Sequence, residues 1–259
     1  MCGIAGYIKT KNSNFKITGN NIINTLKMLE VRGKDATGVA WQDENKKKFW
    51  VIKTPSPASD FIELEAFKSS LPDIIKSKIV LLHTRQATQG DPVDNQNNHP
   101  IHNRGGLIIH NGMVHVSETL PGNGETDTEQ IMLYIQKYGF ADGLNKVSGS
   151  MSIAYIDFKD INLYLYSEIM PLSYHKEREI LIFASTSLIL SKGFNTNPVK
   201  DLPKMTLFKI DNLLNMQTIC SIKREVKNYE YNQSFDDYNF EDLDQLWESY
   251  KDYYRSNER

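Results

Sequence analysis

The sequence predicts a mixed α and β protein in which antiparallel sheets are covered by helices. Short runs rich in Ile, Val, Tyr and Phe are typical of strands, and several of them follow one another without an intervening helix. This pairing favours antiparallel sheets over a doubly wound parallel sheet, in which helices separate the strands one by one. The predicted strands are residues 2–9, 38–42, 48–53, 79–84, 106–110, 151–157, 162–167 and 180–185.

Apolar residues at helical spacing predict three helices. The first contains the apolar positions between residues 22 and 29 and stops near Gly33, and the second covers residues 59–70. The third begins at Asp127 and ends at Gly139, because glycine readily adopts the conformation that terminates a helix. Two segments rich in Gly, Pro and Asn are predicted to be loops: residues 88–103 and 121–126.

The overall composition is that of an ordinary globular chain of one or two domains. The 259 residues are 40% hydrophobic and 24% charged, with a net charge of −2, which favours neither a nucleic-acid coat nor a membrane surface. No apolar run approaches the ~18 residues of a membrane span, and no signal peptide is recognisable. Two cysteines far apart in sequence do not form a disulfide framework, so we expect a cytoplasmic protein.

The uneven distribution of charge along the chain predicts a domain boundary near residue 224. Residues 225–259 contain 10 acidic and 4 basic side chains, whereas residues 1–224 contain 22 acidic and 26 basic ones. We expect the acidic tail to be partly helical, because five apolar residues share one helix face. These residues are Phe240, Leu243, Trp247, Tyr250 and Tyr254. The stripe would pack either on the main domain or on a partner protein, and the sequence does not decide between them.

The first candidate catalytic residue is the cysteine directly behind the initiator methionine, in MCGIAGYI. Aminopeptidases remove Met1 when a small residue follows, which would leave Cys2 with a free α-amine. A thiol attacks only as thiolate, and a pKa near ~8.5 leaves little thiolate at neutral pH. An α-amine titrates at about 7.7–8.0, so a terminal Cys2 would carry its own general base. We therefore predict that Met1 is removed and that Cys2 is a nucleophile.

Three further positions suit the recognition of a free amino acid. Arg85 follows an apolar strand at the mouth of a loop, where its planar guanidinium could bind a carboxylate with two bonds. Asn111 and Gly112 could donate a side-chain amide and a backbone N–H to an oxyanion. Asp127 at the start of a helix could bind an ammonium group. Together these groups describe attack on the side-chain acyl group of an α-amino acid.

The chain resembles the class II glutamine amidotransferase domain, the N-terminal-nucleophile glutaminase of the glucosamine-6-phosphate synthase type. Seven motifs carry the resemblance in family order across residues 2–190: CGIAGYI, RGKDATG, HTRQATQG, NNHPIH, HNGMV, ETDTE and FASTSLIL. The resemblance implies a four-layer αββα sandwich of two mainly antiparallel sheets. It also implies that L-glutamine is hydrolysed to glutamate and ammonia through a cysteine thioester, and we expect neither a cofactor nor a metal.

The resemblance assigns roles to residues at matching positions. Cys2 corresponds to the nucleophile, with its α-amine as the general base. Asn111 and Gly112 correspond to the oxyanion hole. Arg85 corresponds to the residue that binds the α-carboxylate of glutamine, with Thr88 nearby in the same loop.

Three more residues match the family pattern, and two others depart from it. Asp127 corresponds to the residue that binds the α-ammonium group, whereas Arg32 and Gly33 match the RG behind the nucleophile, where Arg32 supports the site. The family loop commonly reads HTRWATHG, and here Gln86 replaces the Trp and Gln89 replaces the His. That Trp helps to close an ammonia tunnel in the synthases, so its replacement weakens any inference of a tunnel.

The long sugar-phosphate isomerase region of the synthases does not follow residue 224. We therefore expect the ammonia to reach an acceptor on a separate synthase subunit, unless the chain is a glutaminase alone. Two alternatives remain open: a catalytically silent binding or regulatory module, and an N-terminal-nucleophile hydrolase of another amide.

Each candidate residue also has a simpler structural explanation. Arg85 could form a surface ion pair, Asp127 could only cap a helix, and Asn111–Gly112 is the commonest dipeptide of hairpin turns. Five histidines invite a metal site, but none of them has the helical spacing of known zinc motifs. These are His83, His99, His102, His110 and His115.

Overall fold

The computed structural model describes residues 1–43 and 48–222. The predicted boundary at residue 224 and the predicted helix of the acidic tail lie outside the described residues. None of the six described helices has the length and apolar character that a membrane crossing requires.

Seven strands form the first sheet, and every neighbouring pair in it is antiparallel. Its order is β11-β9-β10-β1-β4-β2-β3, so β1 and β4, which lead into the site, lie side by side near its centre. The strands are β1 (Gly3–Lys9), β2 (Ala36–Gln42), β3 (Phe49–Thr54), β4 (Ile79–Arg85), β9 (Ser173–Lys176), β10 (Ile180–Ala184) and β11 (Lys200–Asp201).

Six strands form the second sheet, again with antiparallel neighbours throughout. Its order is β13-β12-β8-β7-β6-β5, and the long pair β6–β7 forms its most extensive contact. The strands are β5 (Ile101–His102), β6 (Gly106–Val116), β7 (Val147–Asp157), β8 (Asn162–Ser167), β12 (Thr206–Ile210) and β13 (Met216–Ser221).

Helices cover the outer faces of both sheets. The helices are α1 (Gly19–Glu30), α2 (Ala58–Phe61), α3 (Glu65–Lys76), α4 (Asp127–Tyr138), α5 (Phe140–Asn145) and α6 (Ser187–Phe194). Helices α1 and α6 contact the first sheet, whereas α4 and α5 contact the second. The layers are therefore α, β, β and α, which confirms the predicted sandwich of two antiparallel sheets.

Strand β6 shows why the predicted strands are continuously apolar. Leu107 and Ile109 face the core between the two sheets, and Ile108 between them faces the core beneath α4 and α5. Successive side chains of a strand point to opposite faces, so a strand that is covered on both faces needs apolar residues at every position. Asn111 and Gly112 follow further along β6, where the strand reaches the site.

Several predictions of secondary structure differ from the structure. The predicted strand at 151–157 begins at Val147, and the predicted loop at 88–103 contains the strand β5. The predicted helix at 59–70 is two helices, because Leu64 is extended and ends one before the other begins. The bend brings the buried rings of Phe61 and Phe67 to a centroid distance of 5.2 Å. The predicted strand at 106–110 continues to Val116, because β7 offers a partner along its whole length.

Candidate active site

One cleft contains five of the residues that the sequence singles out. Cys2, Arg85, Thr88, Gly112 and Asp127 line it. They come from the start of β1, the end of β4, the loop behind β4, the middle of β6 and the start of α4. The pairing of β1 with β4 places Cys2 and Arg85 near each other, since Gly3 pairs with Thr84.

Cys2 lies at the bottom of this cleft as a protonated thiol. Its side chain is 9% exposed, and its Sγ donates a hydrogen bond of 3.6 Å to the backbone oxygen of Gln86. Burial raises the pKa of the Cys2 thiol, against the smaller opposing effect of that hydrogen bond. A thiol with a raised pKa does not form thiolate by itself at neutral pH, so attack requires a base.

Arg32 holds the backbone around the cysteine. Its Nε donates to the backbone oxygen of Cys2 at 3.0 Å, and its Nη2 lies 3.8 Å from the Met1 sulfur. The α-amine of Met1 is half-buried, and burial together with the Arg32 charge lowers its pKa. The nitrogen of Cys2 is an amide while Met1 is attached, so it cannot accept a proton in that form.

Arg85 is buried, and both of its Nη groups bind its own loop. One Nη donates to Asn98 Oδ1 at 2.9 Å, and the other donates to the backbone oxygens of Gln89 and of Gly90, the latter at 3.0 Å. The structure therefore contradicts a surface ion pair, because Arg85 is only 3% exposed. Burial lowers the pKa of this guanidinium, as desolvation disfavours its charge.

Gly33 and Asp35 place the loop behind β4 against the cysteine. A side chain at Gly33 would overlap the backbone where Arg85 joins Gln86, so only glycine allows this approach. Asp35 Oδ2 accepts hydrogen bonds from the backbone N–H of Ala87 at 2.7 Å and from Gln86 Nε2 at 3.0 Å. The sequence analysis missed Asp35, although it lies in the RGKDATG motif, because no local pattern reveals a carboxylate that binds a loop 52 residues away.

Removal of the Asp35 carboxylate is expected to loosen this loop. A hydrogen bond to a charged group contributes about 1.5–3 kcal/mol, so Asp35→Ala should accelerate hydrogen exchange of the Ala87 amide by roughly tenfold or more. Asp35→Asn, which keeps one acceptor oxygen, serves as the matched control and should show a smaller acceleration. Unchanged exchange in Asp35→Ala, measured by NMR, would contradict the role of this carboxylate.

Asp127 is the first residue of α4 and does not cap it. The N-cap is Thr126, whose hydroxyl accepts the N–H of Glu129, which overturns the capping explanation. Asp127 Oδ2 instead accepts the backbone N–H of Val114 in β6 at 2.9 Å. This hydrogen bond orients the carboxylate. Both of its oxygens can accept further hydrogen bonds, so it is still able to bind a cation in the cleft.

Asn111 and Gly112 lie in the middle of β6, not in a hairpin turn, because they pair with Ser152 and Met151 of β7. Gly112 has φ +142°, and a side chain there would overlap the Ser150 carbonyl, so the position requires glycine. The carboxamide of Asn111 is completely buried, and neither its Nδ2 nor its Oδ1 has a hydrogen-bond partner among the described residues. Such a group is costly unless it binds something, which is typical of functional sites.

His83, His99 and His110 are buried, and the ring centroids of His83 and His99 lie 4.0 Å apart. His83 Nε2 lies 3.1 Å from the backbone oxygen of His110, and because a carbonyl only accepts, this nitrogen carries the proton. His99 Nε2 and His110 Nδ1 lie 2.8 and 2.9 Å from the hydroxyl of Thr128 in α4. Burial lowers the pKa of all three rings, that of His83 to about 3. In the described part of the chain, no group of three or more His, Cys, Asp or Glu side chains could hold a metal ion.

The cleft is closed in this conformation. Its cavity measures about 10 Å³, roughly the volume that a single water molecule needs. Two sets of contacts close it: that of Cys2 with Gln86, and those of Arg85 with Gln89 and Gly90. An amino acid can bind only if the loop of residues 86–90 moves away from Arg85.

Comparisons with known proteins agree with this architecture. The family model of class II glutamine amidotransferases matches residues 22–142. The glutamine–fructose-6-phosphate aminotransferase of Listeria innocua is 31% identical over 211 residues, which cover 74% of this chain and 33% of that protein. The enzyme of the same name from Methanosarcina mazei is 34% identical over 186 residues, which cover 60% of this chain and 28% of that protein. The chain thus spans about a third of the length of these curated relatives.

The structural comparison supports the fold independently. The glutamine phosphoribosylpyrophosphate amidotransferase of B. subtilis superimposes with a TM-score of 0.63 at 16% identity, over 84% of this chain and 48% of that one. At this identity the likeness concerns the fold, which is the N-terminal-nucleophile hydrolase sandwich. The chain therefore carries a domain of the class II glutamine amidotransferases, a family of enzymes.

Proposed function

We propose that this domain hydrolyses L-glutamine to L-glutamate and ammonia through a thioester on Cys2. The observation that carries the proposal is the meeting of a thiol, a guanidinium and a carboxylate in one cleft, at Cys2, Arg85 and Asp127. A guanidinium suits the α-carboxylate of glutamine, and a carboxylate suits its α-ammonium group. The thiol of Cys2 then reaches the side-chain amide of the bound glutamine.

The proposed reaction begins with removal of Met1. The α-amine of Cys2 takes the thiol proton, and the thiolate attacks the side-chain carbonyl carbon of glutamine. Asn111 Nδ2 and the N–H of Gly112 stabilise the resulting oxyanion. The C–N bond then breaks while the proton on the amine passes to the departing ammonia. Water attacks the thioester, releases glutamate and restores the thiol.

The remaining assignments follow from this reaction. Arg85 binds the α-carboxylate with Thr88 beside it, Asp127 binds the α-ammonium, and Arg32 with Gly33 supports the site. The listeria and methanosarcina relatives are named for amino transfer to fructose 6-phosphate, and we propose that here an acceptor on a separate protein receives the ammonia. A nucleophilic thiol must stay reduced, so we place the reaction in the cytoplasm.

One observation favours the alternative of a silent regulatory module. Asn98, Gln89 and Gly90 already bind both Nη groups of Arg85, and the cavity is too small for an amino acid. A site that never opens would bind no glutamine. A site that opens for its substrate or partner would bind glutamine and hydrolyse it.

Turnover of L-glutamine tests the proposal directly. Purified protein without Met1, verified by intact mass, should release ammonia and glutamate in equal amounts. Arg85→Ala should raise KM for L-glutamine by roughly tenfold to a hundredfold with a smaller effect on kcat, because it removes binding that the ground and transition states share. Arg85→Lys keeps the charge without the planar guanidinium, so its KM should lie between those of the wild type and of Arg85→Ala.

The outcomes separate the candidates. Processed protein that neither binds nor hydrolyses glutamine would support the silent module over the glutaminase, whereas binding without hydrolysis would indicate a site that waits for its partner. A tenfold or greater loss of kcat with unchanged KM in Arg85→Ala would contradict carboxylate binding by this residue.

A further inference from the structure

Asn98 is a buried junction of hydrogen bonds behind Arg85. Its Oδ1 accepts the Arg85 Nη1 at 2.9 Å, and its Nδ2 donates to the backbone oxygen of Pro92 at 2.7 Å and to Asn95 Oδ1 at 2.9 Å. Because Pro92 offers only an acceptor and Arg85 only donors, the orientation of the carboxamide is determined by its partners. Asn98 is completely buried, so this arrangement has no competition from solvent.

Lys53 holds the backbone of the same residue. From the neighbouring strand β3, its Nζ donates to the backbone oxygen of Asn98 at 2.6 Å and to that of Pro100 at 3.2 Å. Burial lowers the pKa of Lys53 to about 8, with the charge of Asp94 acting in the opposite direction. The amine is therefore still mainly charged at neutral pH and fixes the loop to the first sheet.

The partners of Arg85 are of two kinds. The carbonyls of Gln89 and Gly90 belong to the loop that must move, and a substrate carboxylate can replace both of them at Nη2. Asn98 is tied to Pro92, Asn95 and Lys53, so it stays in place when that loop opens. A guanidinium held at one Nη cannot rotate freely while the other Nη exchanges its partners.

We propose that Asn98, anchored by Lys53, is a positioning residue that directs Arg85 towards the α-carboxylate and so determines the preference for substrates that carry one. This inference rests on the proposed function, because the carboxylate is that of glutamine. It concerns residues that touch Arg85 or its loop and not the reacting atoms.

The test compares two substrates that differ only in the carboxylate. 4-Aminobutanamide is glutamine without its α-carboxylate, and its hydrolysis yields ammonia and 4-aminobutanoate. In full-length, processed Asn98→Ala, kcat/KM for L-glutamine should fall at least tenfold, whereas that for 4-aminobutanamide should change less than twofold. Lys53→Met should shift the ratio in the same direction, and Lys53→Arg should restore it.

Asn97→Ala is the matched control. Asn97 is equally buried in the same loop, and its side chain bonds Glu125 N and Asp91 O but not Arg85. A general disturbance of the loop should therefore affect both substrates alike in this variant. If Asn98→Ala also lowered kcat/KM for both substrates equally, or for neither, the positioning role would be overturned.

A second measurement decides the matter even if no substrate is turned over. Proton–nitrogen NMR should show slow rotation of the Arg85 guanidinium in the wild type, with the signal assigned by its absence in Arg85→Lys. Asn98→Ala removes the partner of Nη1 only, because Gln89 and Gly90 still hold Nη2. Averaged Nη1 signals in this variant would therefore support positioning, and unchanged slow rotation of the Nη1 group would refute it. Absence of glutamine hydrolysis in the wild type would refute the proposed function alone.

Discussion

Replacement of Cys2 by alanine is expected to lower ammonia release from L-glutamine by roughly 10⁴-fold or more, as for other enzymes that lose their nucleophile. No thioester can form without the thiol, whereas the binding groups Arg85 and Asp127 remain. Binding of L-glutamine, measured by calorimetry, should therefore survive in Cys2→Ala.

Cys220→Ala is the matched control for this substitution. Cys220 is the second cysteine of the chain, lies on β13 and is only partly buried, so its replacement should leave turnover unchanged. Loss of activity in Cys220→Ala but not in Cys2→Ala would reverse the assignment of the nucleophile.

The same reasoning makes the residue before Cys2 decisive. Protein with a non-cleavable N-terminal extension keeps the Cys2 nitrogen as an amide, which cannot accept the thiol proton. Because burial raises the pKa of that thiol, the extended protein should be as inactive as Cys2→Ala. Full activity of the extended protein, with its intact mass confirmed, would contradict the α-amine as the general base.

Mild acid is expected to unfold the domain because of its three buried histidines. In the folded state the pKa of each of His83, His99 and His110 is lowered by burial, so these rings stay neutral well below their usual pKa of 6.5. In the unfolded chain the same rings bind protons as the pH falls through about 6.5. Protonation therefore favours the unfolded state, and this contribution to stability is complete above pH 6.5 and lost progressively below it.

The expected loss is large relative to the stability of a domain. At pH 5 the His83 ring, whose pKa is about 3, costs about 2 kcal/mol, and His99 and His110 act in the same direction, against typical unfolding free energies of about 5–15 kcal/mol. Urea unfolding at pH values from 7 to 5 measures it. His83→Gln should reduce the pH slope. A stability that does not depend on pH in this range would show that these rings are not buried in neutral form.

Local pattern was sufficient for several regular elements, including the helix that begins at Asp127. Strand β8 occupies the predicted residues 162–167, and α4 begins at Asp127 and stops before Gly139, as predicted. Periodicity and terminating residues are properties of neighbours in sequence, so they can be recognised without knowing the fold. The short strands β5, β9, β11, β12 and β13, and the helices α5 and α6, were not predicted, because such brief segments carry little periodic signal.

The sequence by itself also identified five of the residues that line the cleft, through motifs whose residue types suit one substrate, whereas the predicted Asn111, Arg32 and Gly33 are not part of its lining. Cys2, Arg85, Thr88, Gly112 and Asp127 do line one cleft, although they are spread over 126 residues of sequence. Their chemistry could be inferred separately from each motif. Their roles in turnover remain proposals.

Only the tertiary structure decided how these groups are held. Asn111–Gly112 would form a hairpin turn in isolation, but β7 pairs with it and makes it part of a long strand. Asp35, Lys53 and Asn98 act through hydrogen bonds to residues distant in sequence or on another element, which no local pattern encodes. The closed state of the cleft has the same origin, because a guanidinium binds whichever acceptors packing brings within its reach.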